Sequence, residues 1–189
     1  MKNFIVIIFL AFLTISCSKE KDPNDPSQQD ELPPITQTGA YTFGCLLDGE
    51  VWIPKHYSNS IVNPPVVLQA YLYKTNGNLF QVIATRDRKD DNSPLQILGL
   101  FTFTNAVGDT IILPSSEIGP RFVYERLPPR NGGVFKVYYS TGNENSWVYL
   151  SRLDTNARIA SGTFSVDLIN TDNNKDTVRI REGRFDVPF

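Results

Sequence analysis

One histidine and two cysteines leave a chain of 189 residues few ways to assemble a nucleophilic or metal centre. Any Ser-His-Asp or Cys-His relay would have to pass through His56, which follows Pro54 in an expected loop. No Gly-x-Ser-x-Gly turn is present to expose a serine nucleophile. Cys45 lies in an alternating aromatic segment, where a cysteine packs as a small hydrophobe rather than reacting as a thiolate. One His and one free Cys cannot fill a closed zinc site. The run Asp172-Asn173-Asn174-Lys175-Asp176 begins like a calcium loop. Thr177 then stands where that loop needs Gly, and Gly183 where it needs a bidentate Glu, so the run reads as a polar turn. Asp90-Asp91, within the charged stretch 86–92, reads as a solvated loop. Glu50, Glu117, Glu125, Glu144 and Glu182 are scattered, whereas a glycoside-hydrolase pair needs a defined separation across a cleft. No catalytic residue, metal or cofactor is expected.

Aromatic side chains are the richer signal. Tyr71, Tyr73, Tyr138, Tyr139, Trp147 and Tyr149 recur in segments of strand character. On an exposed sheet face, Tyr71, Tyr73, Trp147 and Tyr149 are candidates to stack on sugar rings or to anchor a protein partner. The competing use of the same residues is to fill a β core, and the sequence leaves both open.

Cys17 is the remaining residue with a chemistry of its own. Residues 1–17 read MKNFIVIIFLAFLTISC, with Lys2 as a minimal positive region and an unbroken apolar run from Phe4 to Leu13. That run is shorter than the ~20 apolar residues a membrane-spanning helix needs, and it has the length of a signal-peptide core. Small Ser16 directly precedes Cys17, an arrangement resembling the lipobox cut by lipoprotein signal peptidase. The motif's usual Leu, three positions before the Cys, is Thr14 here, with Leu13 one place earlier. The expectation is cleavage between Ser16 and Cys17 and acylation, including a palmitoyl group, of Cys17. Each acyl CH₂ buried in a bilayer contributes about 0.8 kcal/mol, so two or three chains on one residue anchor it stably. Ser18-Lys19-Glu20-Lys21-Asp22 follows, and partly resembles the surface-export signal of Bacteroidetes lipoproteins. The expected location is the outer membrane, with the domain at the cell surface or facing the periplasm.

These residues need elements to position them. Residues 1–16 form the expected signal peptide. Residues 17–40 form an expected lipidated, disordered tether, with Pro23, Pro26, Pro33 and Pro34 among charged and amide residues and no apolar periodicity. Residues 41–189 form one domain, a size that suits a single core. The formal charge of −2 becomes −3 when Lys2 leaves with the signal, so no basic excess exists to neutralise phosphates and nucleic-acid binding is not expected. With Cys17 acylated, Cys45 has no intramolecular partner, and the core alone must hold the domain together.

The domain alternates with period two. Tyr41, Phe43, Cys45 and Leu47 share a face, and Asp48-Gly49 fits the two-residue hairpin turn. Across that turn Leu47 pairs with Glu50 and Cys45 with Trp52. Further runs read 66–73, 79–86, 95–103, 110–113, 121–124, 133–139, 146–153, 158–169 and 176–189, with Asn76-Gly77 as a turn after the first. In the last run Val178 and Ile180 are even-numbered while Phe185, Val187 and Phe189 are odd, which predicts a bulge near Gly183. No helical period is sustained. The expected fold is all-β, an antiparallel sandwich of about nine or ten strands, with a β-barrel as the alternative.

Three motifs occur together in this chain: Asp48-Gly49-Glu50-Val51-Trp52, Ser161-Gly162-Thr163-Phe164-Ser165, and Gly183-Arg184-Phe185-Asp186-Val187-Pro188-Phe189. Their order and spacing resemble a family of small Bacteroidetes lipoproteins with an all-β domain of unknown function. The resemblance implies an extracytoplasmic lipoprotein and implies no catalytic residues. It does not extend closely to residues 55–130.

Three functions remain open at this point. The first is a non-enzymatic binding module for a glycan or protein partner, held to the membrane by its lipid. It requires an exposed aromatic cluster or a concave sheet face. A structural envelope component requires a polar surface without a patch. A hydrolase of unrecorded type requires acids, or His56 with an acid and a hydroxyl, meeting in one pocket.

Overall fold

The computed structural model describes residues 30–57, 66–74, 78–103, 107–115 and 119–189. Ser16, Cys17 and the Asn76-Gly77 turn lie outside them. Within them the fold is all-β, with eleven strands and no helix. They are β1 (Thr42–Leu47), β2 (Glu50–Trp52), β3 (Leu68–Tyr73), β4 (Leu79–Arg86), β5 (Leu95–Phe103), β6 (Thr110–Ile112), β7 (Arg121–Leu127), β8 (Lys136–Ser140), β9 (Trp147–Asp154), β10 (Ile159–Asn170) and β11 (Thr177–Pro188).

The hydrophobic alternation decides which side of each strand faces the core. Phe80, Val82 and Ala84 turn inward from β4, Leu98, Leu100 and Thr102 from β5, and Phe122 and Tyr124 from β7. The strands join antiparallel in the order β2-β1-β11-β10-β8-β7-β5-β4-β3. β10 is long enough to serve two neighbours: Ile159–Ser165 pairs with β9, and Leu168–Asn170 with β8. β9 carries β6 on its other side, so the sheet branches there.

The sheet curls strongly, into a half-barrel whose walls face each other across one core. Its margins meet just past β2, where Lys55 N donates to Thr85 O at 3.1 Å and Asp87 N donates to Lys55 O at 2.8 Å. A second tie is the Tyr41 hydroxyl, which donates to Leu68 O at the margin formed by β3. Aromatic rings bridge the walls. Phe164 sits 5.3 Å from Phe43, 5.2 Å from Phe122 and 6.4 Å from Phe185, and Phe80 stacks 6.1 Å from Phe185. Burying each such side chain contributes about 1.5–3 kcal/mol, so this ring cluster helps hold the two walls together.

The expected hairpin register is present: Cys45 pairs with Trp52 and Leu47 with Glu50 around Asp48-Gly49. The expected bulge is present too. Between Phe164↔Gly183 and Val166↔Ile180, β10 passes one residue while β11 passes Arg181 and Glu182. Glu182 takes φ 50°, and the extra residue lets both Ile180 and Phe185 face inward.

Three expectations change. Tyr41 does not share the inner face of β1, because its φ of 59° breaks the strand and leaves it half exposed. The segment 133–139 becomes a strand only at Lys136. Gly132 and Gly133 take φ 121° and 136°, and Val134 and Phe135 stay exposed. Residues 30–40 are packed against the domain, so the fold reaches past Tyr41 toward the N-terminus. One anchor is Asp186, buried at the end of β11. Its carboxylate accepts bonds from Thr36 Oγ1 at 2.6 Å, Thr38 N at 2.9 Å, Gly39 N at 2.9 Å, Ala40 N at 3.1 Å and Ser161 Oγ at 2.7 Å. The other is Asp30, which pairs with Lys55 and accepts from Arg86 at 2.9 Å. A stretch without apolar periodicity is ordered here by polar anchors, a cause invisible to a periodicity argument.

Candidate functional site

Polarity divides the outer surface of the sheet. On β11 and β10 the outward positions include Thr163, Asp167, Thr177, Arg179, Arg181 and Arg184, a polar face that residues 30–40 partly cover, with Arg184 donating to Pro33 O at 3.4 Å. On β4, β5, β7 and β8 they include Ile83, Ile97, Phe101, Val123, Val137 and Tyr139. A sheet with its core on the other side has no packing reason to carry these residues.

Registers align the outward residues in rows. One row crosses four strands as Tyr71, Gln81, Phe101 and Arg121. Neighbouring strands lie about 4.8 Å apart, so this row spans roughly 14 Å. The next runs Gln69, Ile83, Gly99, Val123 and Tyr139. Gly99 lowers the floor, and the Phe101 ring folds toward it: a methyl group at Gly99 would lie 3.1 Å from the ring. Gln81, Ile83, Gly99, Phe101, Arg121, Val123 and Tyr139, with Ile97 and Glu125, line a groove of about 360 Å³, and Tyr71 and Gln69 stand beside it rather than in its walls.

Arg121 is fixed within it. Its guanidinium lies 4.0 Å from the centre of the Phe101 ring, and one of its nitrogens donates to Gly119 O at 3.0 Å. Stacking and a backbone bond hold the planar fork in one attitude, which lowers the entropy lost when it binds an acceptor. It forms no ion pair among the described residues. Glu125 lies four residues further along the same face, about 13 Å away. The groove thus has a cationic end beside an amide, an apolar and aromatic floor, and an acidic end.

The residues singled out from sequence fall in different places. Tyr71 and Tyr73 are exposed at the sheet margin, with ring centres 6.2 Å apart and planes 34° apart, and the Tyr71 hydroxyl donates to Gln69 Oε1 at 2.9 Å. Tyr71 begins the row that leads into the groove. Trp147 and Tyr149 are half-buried on β9, opposite Ile112 and Thr110 of β6 and Ser165 and Thr163 of β10. They sit on the branch and are not brought together with the β3 pair. Tyr138 belongs to the core, stacked 5.4 Å from Tyr124. Phe101, Gln81 and Arg121 were missed by the search for candidates. Nothing local marks them, since their convergence depends on the pairing of strands distant in sequence.

The groups considered for catalysis are otherwise engaged. Burial pushes the Cys45 thiol up to about 12, with the charge of Arg86 only partly opposing it, so the thiol is protonated at neutral pH. His56 Nδ1 lies 3.0 Å from Asp87 Oδ2, and its Nε2 is buried without a hydrogen-bond partner among the described residues. In the calcium-like run, Asp176 is bonded to Lys136 Nζ at 2.7 Å and Tyr138 Oη at 3.1 Å, while Asn170 Oδ1 accepts from the backbone N–H of Asp172 and Asn173. Among the described residues no three His, Cys, Asp or Glu side chains converge to hold a metal ion. Nor is any helix there long and apolar enough to cross a membrane. Comparison with family models, with the curated proteins and with solved structures finds no match to this chain.

Proposed function

We propose that this chain is a lipid-anchored, non-enzymatic binding protein of the bacterial outer membrane, and that the outer face around Tyr71 and the Phe101–Arg121 groove holds a glycan. The leader ending in Ser16-Cys17 and the resemblance to small Bacteroidetes lipoproteins support the anchor and the location. The observation that carries the binding role is the division of the sheet's outer surface. One half is polar and partly covered by residues 30–40. The other combines aromatic rings, an amide, a guanidinium and a carboxylate around an open groove. Sugar recognition uses this combination: ring faces for the apolar side of the sugar, and planar polar groups for its hydroxyls.

The test is a glycan array probed with protein extracted from membranes. Intact mass is expected to show acyl chains on a polypeptide beginning at Cys17, and a chain retaining Met1 without acyl groups would overturn the anchor. The wild type is expected to bind at least one glycan class, and the double variant Tyr71→Ala/Tyr73→Ala to lose about tenfold or more in affinity. Both tyrosines are exposed, so unfolding is not expected to explain that loss. Wild-type protein that retains a glycan unchanged in the double variant would remove Tyr71 and Tyr73 from the site. Silence across the array would contradict the glycan reading.

A further inference from the structure

We infer that the groove selects a sugar chain carrying a carboxylate flanked by uncharged rings, a step that rests on the glycan reading above. A neutral sugar needs only hydroxyl-bonding groups such as Gln81. Arg121 adds a fixed cationic fork, and two parallel N–H···O bonds to a carboxylate match that fork better than any arrangement of hydroxyls. The cost of holding an arginine still is already met by the Phe101 ring at 4.0 Å and by Gly119 O at 3.0 Å.

Glu125 sets the polarity of the ligand. It lies in the same groove, about 13 Å from Arg121 along the strand. A second anionic ring at that end would meet like charge, whereas a neutral ring would offer hydroxyl donors to the Glu125 carboxylate. Between the two ends, Ile83, Ile97 and Val123 supply an apolar floor for ring faces. The complementary ligand is therefore a short chain with a uronic acid at the Arg121 end and a neutral sugar at the Glu125 end, rather than one charged at every ring.

Calorimetric titration with three probes tests this: a hyaluronan tetrasaccharide, in which uronate and neutral rings alternate; the same oligosaccharide with its carboxyl groups reduced to alcohols; and a tetragalacturonate, charged at every ring. Wild-type protein is expected to bind the first at least tenfold more tightly than either of the others. Arg121→Gln should abolish the preference over the reduced probe. Arg121→Lys, which keeps charge but not the fork, should retain only part of it. Glu125→Gln should raise affinity for tetragalacturonate, and this variant keeps the probe informative if changes at Arg121 disturb the Phe101 stack. Equal binding of the acidic and reduced tetrasaccharides would overturn carboxylate selection while leaving the glycan reading intact. Binding of none of the three by a protein that captures a neutral glycan on the array would also overturn it. An array without any bound glycan would instead remove the reading beneath it.

Discussion

Thr102 places a hydroxyl in the core with no partner among the described residues. The residue is fully buried on the inner face of β5, opposite Phe80, and its Oγ1 makes no hydrogen bond to them. An unbonded hydroxyl taken from water carries a penalty that a methyl group of the same shape does not. Thr102→Val is therefore expected to stabilise the domain by about 1 kcal/mol, raising Tm by roughly 3 °C in a thermal melt. A lower Tm would mean that the hydroxyl has a partner. At this scale the sequence was legible where chemistry is local. The calcium-like run Asp172–Asp176 reads as a polar turn and is one, bonded to itself and to Lys136 and Tyr138. Arg121 was not legible. A lone arginine at the start of a short β run looks solvated until Phe101 is known to be its cross-strand neighbour.

Asp186 shows how one group can fix an element that lacks a core of its own. Burial opposes its charge, yet the bonds from Thr36, Ser161, Ala40 and Gly39 outweigh that effect and hold its proton affinity well below the usual carboxylate range. An unfolded aspartate titrates near about pH 4. Because the folded state binds the proton more weakly, the stabilisation is complete above that pH and is lost as pH falls toward the lower folded value. Asp186→Asn is expected to cost about 3 kcal/mol at neutral pH in denaturant unfolding. Below about pH 4 its stability should fall less steeply with acid than that of the wild type. Parallel slopes would contradict the role of the carboxylate. Asp154, Asp167 and Asp176, also held low by their hydrogen bonds, titrate in both proteins and cancel in the comparison. Short-range elements were readable. The Asp48-Gly49 register and the bulge at Glu182–Gly183 follow from turn chemistry and from the switch in alternation parity. The ordering of residues 30–40 was not, since its anchors, Asp186 for one end and Lys55 and Arg86 for the other, lie far away in sequence.

At the scale of the molecule, period-two alternation fixed the all-β class, while curvature decided the arrangement of the walls. A single curled sheet, tied at Lys55–Thr85 and Tyr41–Leu68, closes around one ring-filled core, so sandwich-like facing walls and barrel-like continuity coexist. That curvature leaves two outer surfaces of opposite character, and the account rests on the apolar one being a binding face rather than a by-product of strand composition. The most direct measurement is amide chemical-shift mapping of the isotope-labelled domain during titration with a glycan bound on the array. The shifts are expected to cluster on β3, β4, β5 and β7, centred on Gln81, Gly99, Phe101 and Arg121, and to leave Thr163, Arg179 and Arg184 unmoved. Shifts concentrated on β1, β10 and β11, or around Trp147 and Tyr149 alone, would contradict the assignment of the groove.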